Sequence, residues 1–236
     1  TIGSVDVADS GPNVVYVGTG EAPLRGMKLS HGDGVYKSTD AGATWTNVGL
    51  KNSRQIARMR IHPTDPDTVY VAVQGNPWAG NEERGVFKTT DGGKTWTRVT
   101  SGLPAENMGR IGIAMAPSSP NTLYAIVESN DKDKGVYRSQ DFGQTWKKRS
   151  GHMTSSPQYY NELVVDPLNP DRVYSLDTFT KVSEDGGKSF TPLSNEFRHV
   201  DDHALWIDPN NTNHLIMGGD GGVYESWDRG HKWRHA

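Results

Sequence analysis

The chain has 236 residues, a formal net charge of −3, a pI near 6.2 and no cysteine. Near-neutral charge without a Lys/Arg run leaves no electrostatic footprint for nucleic acid, and the missing cysteines exclude disulfides, zinc–thiolate sites and thiol nucleophiles. No stretch approaches 18 apolar residues, so no helical membrane span is expected, and 27 Gly with 13 Pro suit many short strands and turns.

In chain order, the same unit recurs five times. The first runs from Val7-Ala8-Asp9 through Val14-Val15-Tyr16-Val17 to Gly34-Val35-Tyr36-Lys37 and ends on Ser38-Thr39-Asp40-Ala41-Gly42-Ala43-Thr44-Trp45. The second pairs Ile61-His62-Pro63 with Val69-Tyr70-Val71 and ends on Thr89-Thr90-Asp91-Gly92-Gly93-Lys94-Thr95-Trp96. The third holds Met115-Ala116-Pro117, Leu123-Tyr124-Ala125 and Ser139-Gln140-Asp141-Phe142-Gly143-Gln144-Thr145-Trp146. The fourth closes on Ser183-Glu184-Asp185-Gly186-Gly187-Lys188-Ser189-Phe190, and the fifth on Ser226-Trp227-Asp228-Arg229-Gly230-His231-Lys232-Trp233, where Lys232 replaces the hydroxyl residue.

The box is [Ser/Thr]-x-Asp-x-Gly-x-[Thr/Ser]-aromatic, and its aspartates at 40, 91, 141, 185 and 228 lie 51, 50, 44 and 43 residues apart. A period in this range marks a solenoid, propeller or array. Asp accepts nearby backbone N–H groups and Gly takes positive φ, so each box is read as a hairpin turn between strands C and D. A Pro/Asn/Asp turn joins strands A and B upstream. Four antiparallel strands per period, repeated radially, make an all-β propeller. The blades fall at about 1–50, 51–101, 102–150, 151–195 and 196–236 within one array. The structural residues are Asp40, Gly42, Trp45, Asp91, Gly93, Trp96, Asp141, Gly143, Trp146, Asp185, Gly187, Phe190, Asp228, Gly230 and Trp233.

The Asp-box pattern resembles the bacterial-neuraminidase-type repeat of sialidases, oligoxyloglucan-type glycosidases and sortilin-type ectodomains. The runs Tyr16–Glu21, Gly32–Ser38, Asn81–Val86, His203–Pro209 and Gly218–Val223 are most similar to large bacterial secreted proteins described as sortilin-like or glycosyl-hydrolase-like. The resemblance implies a β-propeller and a secreted, periplasmic or cell-surface location. It also implies more blades than five, so the expectation is an arc of a longer propeller. The chain opens on Thr1 without a signal peptide, as a mature chain or a fragment would. A sialidase is not expected: Gly109-Arg110-Ile111-Gly112 has Gly where the arginine signature has Pro.

Strand A lines the channel and D lies outermost, so A–B turns and Asp boxes share one face and B–C and D–A loops the other. Length variation concentrates on the second face, where function tends to live. Any pocket should be walled by blades 1 and 2, through loops holding Arg25, Lys28 and His31, and Trp78, Glu82, Glu83 and Arg84. Glu82-Glu83-Arg84 is read as an internal ion pair. Counting back from the residue after strand A places Arg110, Tyr160 and Asp202 at matching positions on the channel mouth.

Candidate catalytic carboxylates are Glu21, Glu82, Asp201 and Asp202, with Glu83 and Asp220 beside them. Candidate ligand-binding residues are Arg25, His31, Trp78, Arg110, Tyr160, His199, His203 and Asp220. If His199-Val200-Asp201-Asp202-His203 is extended, residues 199, 201 and 203 share one face and could hold a metal or form an acid/base set; a hydrogen-bonded polar plug is the alternative. No cofactor motif is visible. Two functions remain in view. One is a non-catalytic interaction module or envelope-assembly subunit, taking a protein or glycan partner on the B–C/D–A face. The other is a glycoside hydrolase of the Asp-box group working through paired carboxylates on that face.

Overall fold

A computed structural model describes residues 1–21 and 29–236. Every regular element among them is a strand. Blade 1 holds β1 (Ile2–Val7), β2 (Val15–Thr19), β3 (Val35–Ser38) and β4 (Thr46–Asn47). Blade 2 holds β5 (Ile56–Ile61), β6 (Val69–Val73), β7 (Gly85–Thr89) and β8 (Thr97–Val99). Blade 3 holds β9 (Ile111–Met115), β10 (Leu123–Val127), β11 (Gly135–Ser139) and β12 (Lys147–Ser150). Blade 4 holds β13 (Glu162–Val165), β14 (Val173–Leu176), β15 (Lys181–Ser183) and β16 (Thr191–Pro192). Blade 5 holds β17 (Asp202–Ile207), β18 (Leu215–Gly219), β19 (Gly222–Ser226) and β20 (Arg234–His235). Each blade is one antiparallel sheet in sequence order, which makes the chain a five-bladed β-propeller array.

The Asp box builds its turn as the sequence indicates. Asp91 Oδ1 accepts the Thr95 N–H at 2.9 Å and Oδ2 accepts the Thr95 hydroxyl at 2.6 Å, while the Thr89 hydroxyl donates to Asp91 at 2.7 Å. The other boxes repeat these bonds around Asp40, Asp141 and Asp185; in the fifth only the Lys232 N–H reaches Asp228 from that position. The two residues after each aspartate both have positive φ, as at Gly92 (72°) and Gly93 (91°). A Cβ on Gly93 would stand 2.8 Å from Val48 in the preceding blade, so glycine serves both the turn and the packing. Each box is tied to the A–B turn of its own blade: the N–H groups of Ala41, Gly92, Phe142, Gly186 and Arg229 donate to the carbonyls of Asn13, Asp67, Asn121, Asp171 and Asn213. That bond places A–B turns and boxes on one face, and leaves the other face to the B–C and D–A loops.

Blades are joined by apolar clusters between successive sheets, because each sheet carries apolar residues on both faces. A polar clamp sits at the edge of each of the first three interfaces. Tyr16 donates its hydroxyl to the Pro66 carbonyl at 3.0 Å while Lys37 pairs with Asp67 at 2.7 Å. Tyr124 donates to Pro170 at 2.7 Å while Arg138 pairs with Asp171 at 2.7 Å. Tyr70 and Lys88 share the Phe142 carbonyl. The box tryptophans add bonds: Trp96 Nε1 donates to Val48 in the preceding blade at 2.8 Å, and Trp233 to Ser194 at 2.9 Å.

Innermost strands β1, β5, β9 and β13 pack in succession, and β17 packs on β14. Blades 2 and 4 also meet across the channel, through an Arg58–Glu162 ion pair and a Gln74–Gln158 hydrogen bond of 3.1 Å. Among the described residues, blade 5 makes no comparable packing with blade 1.

Candidate functional site

A concave region lies on the loop face between blades 1 and 2. A space of about 330 Å³ is lined by Leu50, Val73 and Phe87 on its apolar side and by Lys51, Asn52, Ser53, Glu82 and Glu83 on its polar side. A second, of about 400 Å³, is bounded by His31, Arg54, Asn76 and Asn81 and shares Lys51, Asn52 and Glu83 with the first. Two of the lining residues hold a buried polar atom without a protein partner, Ser53 Oγ and Asn81 Oδ1. Such atoms are costly unless something satisfies them.

Local chemistry explains the walls. Leu50 and Arg54 take positive φ of 54° and 52°, turning the D–A link sharply so that Lys51, Asn52 and Ser53 face blade 2. The opposite wall is the loop from Gln74 to Arg84. Arg84 does not pair with Glu82 or Glu83. Its guanidinium donates to the carbonyls of Gln74 (2.8 Å), Ala79 (3.2 Å), Asn76 and Met108, holding the loop in a closed turn and freeing both glutamates for the cleft. Burial pushes its pKa down. Trp78, 70% exposed, stands at the loop tip and is not among the lining residues. Glu21 accepts the Ser30 N–H at 3.4 Å. His31 lines the larger space, and Arg25 and Lys28 lie outside the described residues.

A second cluster sits at the channel mouth. His203 Nε2 is 3.0 Å from Asp220 Oδ1 and 3.8 Å from Asp201 Oδ1. The ring stacks on Tyr160, centroids 5.7 Å apart, and meets the Tyr159 edge at 5.5 Å. Tyr160 donates its hydroxyl to Asp201 and accepts from Thr178. Asp201, His203 and Asp220 converge closely enough to share one ion. His199 does not join them: Asp201 has φ +77°, which breaks the extended alternation, and the His199 ring turns to the Val200 carbonyl.

The other mouth positions, Asp202 and Arg110, are buried and bonded within the protein. Asp202 is buried, paired with Arg198 and bonded by the Thr180 hydroxyl at 2.7 Å. Arg110 is buried, donates to the Gln158 and Tyr159 carbonyls at 3.0 Å each, and is pushed down to about 10 by burial. A β-bulge between Asp202 and Ala204 adds a residue to β17, so it is Asp201, not Asp202, that corresponds to Arg110 and Tyr160.

The family model described as "Sortilin, neurotensin receptor 3" (Sortilin-Vps10) matches residues 33–164, over half of the chain. A vacuolar protein sorting/targeting protein 10 of Colletotrichum graminicola is 37% identical over 70 residues, covering 30% of this chain and 4% of its own. The dispase autolysis-inducing protein of Streptomyces mobaraensis is 35% identical over 169 residues, covering 48% of this chain and 45% of its own. The chain thus spans less than half the length of these curated relatives. Among solved structures, the GH74 xyloglucanase from Xanthomonas campestris superposes with a TM-score of 0.68 at 20% identity, over 99% of this chain and 37% of that one. A structure described as YCF48 bound to D1 peptide gives 0.61 at 16% identity, over 99% of this chain and 65% of that one. At these identities the structures share the fold alone. By its repeat, its blades and the matched residues, the chain belongs to the Sortilin-Vps10 family.

Proposed function

We propose that residues 1–236 act as one propeller array outside the cytoplasm, binding a peptide or protein ligand without catalysis, in the cleft between blades 1 and 2. The observation that carries this is the concave region itself, where the apolar patch of Leu50, Val73 and Phe87 lies beside the polar side chains of Lys51, Asn52, Glu82 and Glu83. A pre-formed apolar surface with a few convergent polar groups is the usual form of a ligand site. The peptide-bound state of a YCF48 structure of the same fold supports a peptide ligand.

The glycoside hydrolase reading has less support. It needs two carboxyls opposed across a cleft, about 5–9 Å apart. Glu82 and Glu83 stand on one wall, while Asp201 and Asp220 converge on one imidazole, leaving no room for a glycosidic bond between them.

The test is a screen of peptide and glycan arrays with the wild type, Asn52→Trp and Glu83→Lys. Peptide hits lost in both variants at unchanged melting temperature are expected. Hits that survive both substitutions, or reducing sugar released from soluble β-glucans, would overturn the reading.

A further inference from the structure

The loop face of blade 5 departs from that of its neighbours in two places. Blades 1, 2 and 5 each carry one extra residue early in strand A, opposed by nothing on strand B: Gly3, Ala57 and His203. The bulge forms with glycine or alanine, so an imidazole is not needed to build it, and a bulge re-aims the side chain it carries. The second departure is the B–C connection. Long loops make it in blades 1 to 3, whereas in blade 5 Gly219 pairs with Gly222 across Asp220 and Gly221 alone. This tight turn lays Asp220 over the start of strand A, where its N–H donates to the Asp201 carbonyl at 3.1 Å. A Cβ on Gly219 would stand 2.4 Å from that carbonyl oxygen, so glycine is what lets the two segments come this close.

The two features bring three donor groups together. His203 Nε2 lies 3.0 Å from Asp220 Oδ1 and 3.8 Å from Asp201 Oδ1, and the three groups each offer an atom within 4.8 Å of the others. An ion held at about 2.0–2.2 Å keeps neighbouring ligand atoms roughly 3.0–3.5 Å apart, so small side-chain rotations close the set around it.

Charge points the same way. With both carboxylates ionised, the cluster is negative whichever state the imidazole takes. Among the described residues, neither carboxylate pairs with a lysine or an arginine. The surroundings hold the donors in place. Tyr160, buried, donates its hydroxyl to Asp201 and stacks on the His203 ring at an interplanar angle of 11°. The Thr178 hydroxyl donates to the Tyr160 oxygen at 3.2 Å, and the Asp201 N–H donates to the Thr178 carbonyl at 2.9 Å. Ligating carboxylates are commonly fixed by hydrogen bonds of this kind from behind.

We propose that Asp201, His203 and Asp220 bind a divalent transition-metal ion of the Zn²⁺ or Mn²⁺ type at the channel mouth. One imidazole nitrogen with two carboxylate oxygens suits such ions. Ca²⁺ takes about six to eight oxygen ligands, and Mg²⁺ gives up its water reluctantly. Three protein ligands leave the remaining coordination positions open to water or to an anionic group of a ligand. The site shares no lining residue with the cleft between blades 1 and 2 and does not depend on it.

The test titrates metal-freed protein with Mn²⁺ and with Zn²⁺ by calorimetry, for the wild type, His203→Gln, Asp220→Asn and His199→Gln. His199 is an exposed imidazole of the same segment that stays outside the cluster. One ion per chain is expected in the wild type and in His199→Gln, with affinity about tenfold or more weaker in His203→Gln and Asp220→Asn. A second reading needs no variant. Mn²⁺ should broaden the imidazole resonances of His203 in the wild type before those of His62 and His231, which belong to the A–B turns and boxes of the opposite face. No saturable binding of either ion, binding kept in both cluster variants, or binding lost in His199→Gln would overturn the proposal. Displacement of Mn²⁺ by an equal concentration of Ca²⁺ would overturn the assignment to a transition ion.

Discussion

The Tyr70 hydroxyl of blade 2 donates to the Phe142 carbonyl of blade 3 at 2.7 Å, and Phe142 follows the aspartate of that blade's Asp box. Lys88 Nζ donates to the same oxygen at 2.9 Å. One carbonyl, in a turn fixed by its own aspartate, thus takes two donors from the neighbouring sheet. Tyr70 is fully buried, and burial pushes its phenol well above the usual range, so it remains a donor at all working pH values.

Tyr70→Phe should therefore lower stability by only about 1 kcal/mol, because Lys88 still satisfies the oxygen. Tyr70→Phe with Lys88→Met should cost more than the two single changes together, by about 1 kcal/mol, since the carbonyl is then left bare. Urea unfolding of the four proteins measures the cycle. Strict additivity would mean that the two donors do not back each other up.

The Asp boxes should set the acid limit of the fold. The Thr44 hydroxyl and N–H hold Asp40 down to about 2, the Thr145 groups do the same for Asp141, and Asp91 and Asp185 are held lower still by Thr95 and Ser189. In the unfolded chain these carboxyls take up protons near 4. Between about pH 4 and 2 the unfolded state therefore binds more protons than the folded one, and stability falls as pH is lowered through that window. Thr95→Val removes the first cause of the Asp91 shift, so it should destabilise at pH 6 and differ less from wild type at pH 2. A wild-type-to-variant gap in melting temperature that stays constant across this range would remove the box from the explanation.

The boxes were legible because their chemistry is local: serine or threonine, aspartate, glycine and aromatic side chain complete one turn within eight residues. Strand alternation and the loop-face position of the cleft followed from the same period. Features that depend on distant approach were not legible. Lys51, Asn52 and Ser53 become cleft residues only because blade 2 brings Glu82 and Glu83 to them. Arg84, next to two glutamates in sequence, bonds carbonyls as far away as Met108. A single bulged residue in β17 moved the blade 5 register by one, and the left-handed turn at Asp201 separated His199 from His203. Asp220 entered that cluster through strand pairing, which spacing along the chain does not reveal.

His152 should shape the upper part of the acid profile. Its ring stacks on Phe190 with centroids 4.0 Å apart, and its Nε2 lies 3.0 Å from Ser175 Oγ. Burial, aided by Lys181, depresses its pKa to about 4. The folded state thus keeps the imidazole neutral, while the unfolded chain protonates it near 6.5. Its contribution is full above pH 6.5 and is lost as pH falls toward 4. His152→Phe keeps a stacking ring without a titrating group, and should flatten melting temperature between pH 6.5 and 4.5. A variant profile as steep as the wild type's would assign that limb to other groups.

Arg84 is the side chain on which the cleft's second wall depends. Its guanidinium closes the loop from Gln74 to Asn81 by bonding three of that loop's carbonyls and reaches Met108 in the link to blade 3. Asn81 reinforces the turn by donating to the Asn76 and Ala79 carbonyls at 3.0 and 3.1 Å. A lysine carries the charge but not the planar fork, so it can reach one or two of these oxygens at a time. Arg84→Lys should cost about 1–3 kcal/mol in urea unfolding. Local opening should exceed global loss, so thermolysin should cut between residues 76 and 81 about tenfold faster than in the wild type, while the Asp-box turns stay protected. Ligand binding in the blade 1–2 cleft should weaken with it, because Glu82 and Glu83 are aimed by the same loop. Cleavage at the wild-type rate in Arg84→Lys would show that the loop holds its shape without the fork, and would move the origin of the wall's rigidity to the Asn81 bonds.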